Sequence, residues 1–423
     1  MTRQRLLFVT TDPLTDAMPG PAIRAWELAA QLARHHDVKL VSSVACTRSH
    51  ADMDVAFADG AAVAAHCDWM TMAVGPGSLI DRYPCFEVTD KPVVIDIYDP
   101  YHLENLAGRA KSLEETDAVV RRLSGIVNKD LARGDFFLCA SERQRDFWLG
   151  SLTALGRVNA RTHAGDEGLS RLVAVVPFGL SATPPAHGGR GLAALLPAGA
   201  RPWPVILWGG GVYDWFDPVT LLRAVHSLRE DLPRIFLVFM GMGHPNPDIP
   251  EMAVATELRT AAAQLGMGPE IVAFNRSWVP FEERGDVLLD ADIGASTNLD
   301  HLEARFSFRT RMLDYLWAGL PTVATAGDVL SDLVAREGIG VAVPPGDVGA
   351  VAEGLQKMAT YPPKIEAVRE VAARFHWERA AAPLVAYCDD PWRAKDRAAV
   401  PAAGGGSRGR FAHGLARLRQ RPT

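Results

Sequence analysis

The chain has 423 residues, 48% of them hydrophobic and 22% charged, with a formal net charge of −6. That length exceeds the ~250–300 residues at which single cores stop growing, so two domains are expected, and no apolar run reaches the ~18 residues of a membrane-spanning helix. From Pro391 onward eight Lys or Arg face only Asp396, a balance of +7 that leaves −13 for the body, and an acidic body argues against a nucleic-acid partner.

The opening MTRQRLLFVTTDP reaches Asp12 too soon for a secretory leader and reads as a first buried strand. PAIRAWELAAQLARHH follows as a helix, with an apolar stripe through Ile23, Trp26, Leu28, Ala29 and Leu32 and with Pro21 in its first turn. DVKLVSS, WMTMAV, PVVIDIYD, FFLCAS and RLVAVVPF read as further strands with helical stretches between them. Such alternation predicts a parallel sheet covered by helices on both faces. Residues 181–204, SATPPAHGGRGLAALLPAGARPWP, are rich in Pro, Gly and Ala and read as a linker.

The pattern then restarts with PVILWGGG, RIFLVFMG, EIVAF, IGAS, PTVAT and GVAVPPGD, again alternating with helices. The expected fold is therefore α/β, two doubly wound Rossmann-like domains facing across a cleft. The N-terminal domain spans 1–180 and the C-terminal domain 205–362, with helices at 363–390 and a basic, disordered tail at 391–423. Ligands of such sheets bind at the carboxyl ends of the strands. Five cysteines, Cys46, Cys67, Cys85, Cys139 and Cys388, lie far apart without metal or redox spacing, so reduced thiols and a cytoplasmic location are expected.

One stretch carries a concentration of chemistry: EARFSFRTRMLDYLWAGLP, from Glu303 to Pro321. Ser307 is placed to cap a helix over 308–318, with Gly319 as its left-handed stop and Pro321 beyond. A helix start favours anions, and Arg309 and Arg311 beside Thr310 add guanidinium groups suited to phosphate oxygens. Glu303 and Asp314 can accept hydrogen bonds from sugar hydroxyls. The alternative is that these arginines pair with Glu303, Asp300 or Asp314 or are solvated. Gly209, Gly210 and Gly211 directly follow a predicted strand, where glycine lets backbone approach a ligand. They do not form a dinucleotide G-x-G-x-x-G fingerprint.

Taken together, GPAIRAWELAAQLA, VVIDIYDPYHLENL, FFLCASERQRDFWLG, WGGGVYDWFDP, GHPNPDIPEM, NRSWVPFEER and FSFRTR-x-LDYLWAGLP resemble a retaining glycosyltransferase of the GT-B fold, family 4 type, over residues 5–390. The resemblance implies a nucleoside-diphosphate-sugar donor as substrate and no other cofactor. It also implies no metal, in keeping with the lack of an Asp-x-Asp; Asp96, Tyr98 and Asp99 come nearest. The acceptor it implies is a glycan, a lipid-linked sugar or a small molecule. Asp314 falls in the slot of the acid that holds the ribose, and Glu303 is the candidate for the acid that meets the donor sugar. The family spaces these as Glu-x7-Glu, whereas ten residues separate Glu303 from Asp314 and strict spacing lands on Phe306. The Arg/Lys pair usual after the first strand of the C-terminal domain is also missing, so Arg309, Arg311, Ser307, Thr310 and the glycine run are expected to hold the diphosphate. The base is expected near Phe274 and Arg276, and the acceptor near Gly20, Arg24, Asp99 and His102. FHWERAAAPLVAYC resembles the helix by which such chains cross back to the N-terminal domain. The basic tail suits contact with anionic lipid at the inner face of a membrane. Rival readings are a GT-B sugar epimerase or phosphorylase, and a relative that binds the donor without turnover.

Overall fold

A computed structural model describes residues 3–107, 112–189, 191–199, 201–243 and 251–397. The N-terminal sheet holds β1 (Arg5–Thr10), β2 (Asp37–Ser42), β3 (Asp54–Phe57), β4 (Met72–Pro76), β5 (Val93–Asp96), β6 (Phe136–Cys139) and β7 (Val173–Val175), in the order β3-β2-β1-β4-β5-β6-β7. All pairs are parallel; Leu6 sits opposite Val38 on one side and Met72 on the other. After its first residue β1 is buried throughout, as a strand covered on both faces must be.

The second sheet holds β8 (Val205–Gly211), β9 (Phe236–Gly241), β10 (Val272–Phe274), β11 (Ile293–Ser296), β12 (Thr322–Thr325) and β13 (Gly340–Val343), in the order β10-β9-β8-β11-β12-β13. It too is parallel throughout. The two doubly wound domains expected from the alternation are therefore present. In each sheet the strand order reverses beside the first strand, at β1/β4 and at β8/β11, and these reversals leave a crevice at the strands' carboxyl ends.

Residues 181–204 are not a free tether. The amides of Gly188 and Leu192 donate to the carboxylates of Asp286 and Asp290, and Leu192 is buried in the core. Among the closing helices, Ile365–Ala372 packs on helix Thr310–Ala318 of the C-terminal domain. The chain then packs on the N-terminal domain: Trp377 rests on Phe178, and Tyr387 of helix Ala382–Asp389 stacks on Phe136 with centroids 4.4 Å apart.

Two expectations need correction. Residues 391–397, assigned to a disordered tail, are docked on the N-terminal domain; the remaining residues, 398–423, lie outside those described. Arg157 pairs with Asp396 at 2.7 Å, and the fully buried Asp135 accepts from the Ala394 amide at 3.1 Å and from Arg397. Buried charges that find partners in the last turns hold this segment down, which its basic composition hid. The cysteines, far apart in sequence, are not all far apart in space: the thiols of Cys67 and Cys85 lie 2.9 Å from each other. No helix among the described residues is long and apolar enough to cross a membrane.

Candidate functional site

A cleft of about 410 Å³ runs between the domains and opens at the carboxyl ends of β1 and β8. Its C-terminal wall begins with Gly209, Gly210 and Gly211. Gly210 has φ = 102°, a conformation that excludes most side chains, and β8 slips register against β9 between Trp208 and Gly211. A β-carbon on Gly209 would meet the Tyr315 ring at 3.0 Å, so the tyrosine lies directly under the loop. The Tyr315 hydroxyl accepts from the Gly209 amide at 2.7 Å and sits within bonding distance of the Leu207 and Ala295 carbonyls, one of which takes its proton.

The arginine segment departs from its predicted form. A short helix, Leu302–Phe306, ends at Ser307, whose hydroxyl donates back to the Ala304 carbonyl at 3.0 Å. The second helix, Thr310–Ala318, begins three residues later with Arg309 at its N-cap position and no side-chain cap. Ser307 is therefore not the cap and does not line the cleft; Phe308 and Arg309 intervene. Gly319 ends the helix at φ = 77°, as the sequence predicts. The uncapped first-turn amides, a locus of partial positive charge, lie at Thr310 in the cleft wall.

Arg309 and Arg311 both line this wall while only 5% and 7% exposed. Arg309 donates to Glu303 at 2.6 Å, which realises the ion-pair alternative for this residue, yet its Nε has no partner. Arg311 donates from Nη2 to the Gly211 carbonyl at 2.8 Å and stacks over Trp208 and Phe216, while its Nη1 is unpartnered. Burial lowers the Arg311 pKa to about 10, which leaves it charged at neutral pH. Glu303 is buried behind Arg309 rather than in the cleft lining. Asp314 does line the cleft and takes a hydrogen bond from Arg284 at 3.3 Å; burial raises its pKa while Arg284 opposes the shift.

The N-terminal wall holds Asp12, Gly20, Tyr98, Asp99 and Glu104. Gly20 starts helix Gly20–Ala33, and a β-carbon there would stand 3.9 Å from the Thr310 hydroxyl, so two helix starts face each other across the cleft. Burial first, and then the nearby carboxylates Glu303 and Asp12, lifts the Asp99 pKa to about 6, against a lowering hydrogen bond from Glu104 and the charge of Arg309. Burial also lifts Asp12 to about 6, opposed by Arg82, and holds Glu104 well above the usual carboxylate range, with Asp99 adding to the rise.

Several expected site residues are elsewhere. Arg24 is 1% exposed and entirely committed: it pairs with Asp96 at 2.6 Å and donates to the carbonyls of Val176 and Pro177, so it ties the sheet together rather than meeting an acceptor. His102 turns away from the cleft and stacks on Phe147, with its pKa lowered by burial. Phe274 stacks on Phe239 in the domain core, and Arg276 is exposed outside the cleft lining. Their places along the cleft are taken by Trp278, Val279 and Phe281, with Tyr213, Trp215 and Phe216 after the glycine run. Asp12 had a readable signal, since it lies two residues past the end of the first strand at a topological switch point. Arg284 had none in the local sequence. Among the described residues no group of three or more His, Cys, Asp or Glu is arranged to hold a metal ion.

Comparison with models of protein families gives no match, and comparison with curated sequences gives none either. Solved structures do match over nearly the whole chain. Sucrose-phosphate synthase from Thermosynechococcus elongatus superposes with a TM-score of 0.65 at 15% identity, covering 90% of this chain and 97% of that one. HepE from Anabaena in complex with UDP-glucose gives 0.63 at 14% identity, with 91% and 98% covered. WaaG, a glycosyltransferase involved in lipopolysaccharide biosynthesis, gives 0.57 at 15% identity, with 95% and 100% covered. The chain has the two-domain GT-B glycosyltransferase fold.

Proposed function

We propose that this protein is a glycosyltransferase that moves a sugar from a nucleoside-diphosphate-sugar donor to a hydroxyl acceptor. The observation that carries the reading is Arg311: a charged guanidinium, 7% exposed, with an unpartnered nitrogen in the wall of an interdomain cleft. A buried cation with an unmet donor is costly unless an anion arrives to meet it. The uncapped amides at Thr310 and the backbone of Gly209–Gly211 converge on the same wall, and together they suit a diphosphate.

In this reading the positive charge that stabilises the leaving diphosphate comes from Arg311 and Arg309 and the helix start, rather than from a divalent cation. Asp314 holds the ribose and Glu303 sets the orientation of Arg309. Asp99, with Glu104, receives the acceptor hydroxyl on the opposite wall, and transfer proceeds with retention as the departing phosphate takes the acceptor's proton on the same face. We place the protein in the family 4 type, acting in the cytoplasm, with the basic tail touching an anionic membrane if the acceptor is lipid-linked. The HepE structures hold UDP-glucose, UDP with glucose, and UDP, which puts uridine nucleotides first in the test.

That test is thermal stabilisation by UDP, GDP, ADP and dTDP, followed by product analysis with the matching sugar nucleotides. A hundredfold excess over Kd stabilises the folded state by about 2.7 kcal/mol. Stabilisation by one nucleotide that is lost in Arg311→Ala supports the reading; no stabilisation by any of them overturns it. A donor-binding protein without turnover is the second reading, favoured by the ion pair that occupies Arg309. Binding without sugar release or transfer is its signature.

A further inference from the structure

We propose that Gln144 is a positioning residue that ties the two walls of the cleft together through a single carboxamide; its kinetic consequence rests on the transferase reading, its structural one does not. Gln144 lies in the first turn of helix Glu142–Ala154, within the stretch FFLCASERQRDFWLG. Glutamine belongs mostly to protein surfaces, yet this one is 0% exposed.

Its side chain uses both ends. Oε1 accepts from the Ala140 amide at 2.7 Å, and Nε2 donates to the Tyr98 carbonyl at 2.7 Å and to the Phe306 carbonyl at 2.8 Å. Ala140 and Tyr98 belong to the N-terminal domain, and Phe306 to the C-terminal domain. The bond to Ala140 fixes which end is oxygen, so both amide hydrogens must point at the two carbonyls.

The two carbonyls are not arbitrary. Tyr98 immediately precedes Asp99, and both side chains line the N-terminal wall. Phe306 ends the short helix that carries Glu303, three residues before Arg309 on the opposite wall. One planar group thus links the acceptor-side loop directly to the donor-side arginine segment. A residue serving only to cap its own helix would need no partner in the other domain. The Phe147 ring packs on Phe306 with centroids 4.7 Å apart, a second contact at the same junction. Arg143 also crosses the gap, to the Gly327 carbonyl and the Asp332 carboxylate, but from a partly exposed rim where ion pairs contribute little. Domains joined in this way otherwise move relative to each other, and closure completes a shared site.

The test compares the full-length wild type with Gln144→Glu, which keeps the acceptor for Ala140 and removes both donors, and with Arg143→Ala as the rim control. Small-angle X-ray scattering of the free chains reads domain closure without reference to any activity. Gln144→Glu is expected to be more extended than the wild type, and Arg143→Ala to match it. With UDP-glucose as donor, turnover in Gln144→Glu is expected to fall on the order of a hundredfold, the effect of misplacing groups by ~1 Å. The Kd for UDP, whose partners all lie on the C-terminal wall, should stay unchanged.

Scattering identical to the wild type overturns the proposal. So does a loss of UDP affinity in proportion to turnover, which would mark a folding defect of the donor wall. If the wild type binds no nucleotide, the transferase reading fails while the scattering comparison still decides the role of Gln144. Should Gln144→Glu not fold, Gln144→Met removes the same donors without adding a charge and carries the same comparison.

Discussion

Replacing Arg311 by methionine should weaken ligand binding without destabilising the free protein. In the free protein the guanidinium makes one hydrogen bond, to the Gly211 carbonyl, and stacks on Trp208 and Phe216. That carbonyl keeps a second donor, the Trp208 indole at 3.1 Å, so the substitution leaves no orphaned acceptor. Loss of the hydrogen bond and ring contacts costs about 2–3 kcal/mol, and relief from burying a cation with an unmet nitrogen returns a similar amount. The melting temperature of the free variant should therefore stay close to that of the wild type or rise. Binding is another matter: charge-assisted bonds to a diphosphate are worth about 2–3 kcal/mol, roughly 30- to 160-fold in Kd. Calorimetric titration with UDP, or with whichever nucleotide stabilises the wild type, alongside thermal melts of the free proteins, measures both quantities. Unchanged nucleotide affinity would refute the phosphate role of Arg311, and a free variant destabilised by well over ~3 kcal/mol would show that the residue is a structural tie.

Arg24→Met should strand the Asp96 carboxylate and destabilise the fold by about 3–5 kcal/mol, read by urea unfolding, with nucleotide affinity intact in the folded fraction; a mild variant impaired only toward acceptor would restore its acceptor-binding role. Tyr315→Phe removes the acceptor for the Gly209 amide under the glycine loop and should cost about 1–3 kcal/mol in thermal unfolding, while nucleotide binding weakens. The cleft acids predict a pH effect. Asp12 and Asp99 have folded pKa values near 6, above 3.8 when unperturbed, so their contribution to stability is greatest below about pH 4 and declines as pH rises to about 6. Ionisation of Asp12 and Asp99 puts negative charge opposite the arginines. The affinity for UDP-glucose, whose diphosphate does not itself titrate in this range, should fall between pH 5 and pH 7, less so in Asp12→Asn; a profile identical in the two proteins would remove these acids from the donor's surroundings.

Hydrophobic alternation carried the architecture, because buried parallel strands and amphipathic helices each need their pattern over several consecutive residues. Thus both sheets could be read from the chain, as could Gly319 as a helix stop. Much of the site resisted, for reasons visible residue by residue. Arg24 and Arg311 are the same side chain on helices of similar character, but only the partner Asp96, 72 positions away, uses up one of them. Ser307 had the right chemistry for a cap but stands two residues before the N-cap position, at the end of a preceding short helix. Asp314 and Arg284 became neighbours through the tertiary fold, which no local spacing encodes.

The docking of residues 391–397 has a consequence for the order in which the protein is made. The ribosome releases β1 to β7 long before Asp396 and Arg397 exist. Until they emerge, the guanidinium of Arg157 has carbonyl partners but no carboxylate, and Asp135 keeps Arg133 and the Val93 amide but lacks Arg397 and the Ala394 amide. Removing one partner from a buried pair, as at Arg157, costs up to about 3–5 kcal/mol against the ~5–15 kcal/mol that holds a domain together. The first half of the chain therefore completes its charge pairing only once the C-terminal strap has emerged, and a fragment cut at the linker lacks Asp396 and Arg397 as partners for Arg157 and Asp135.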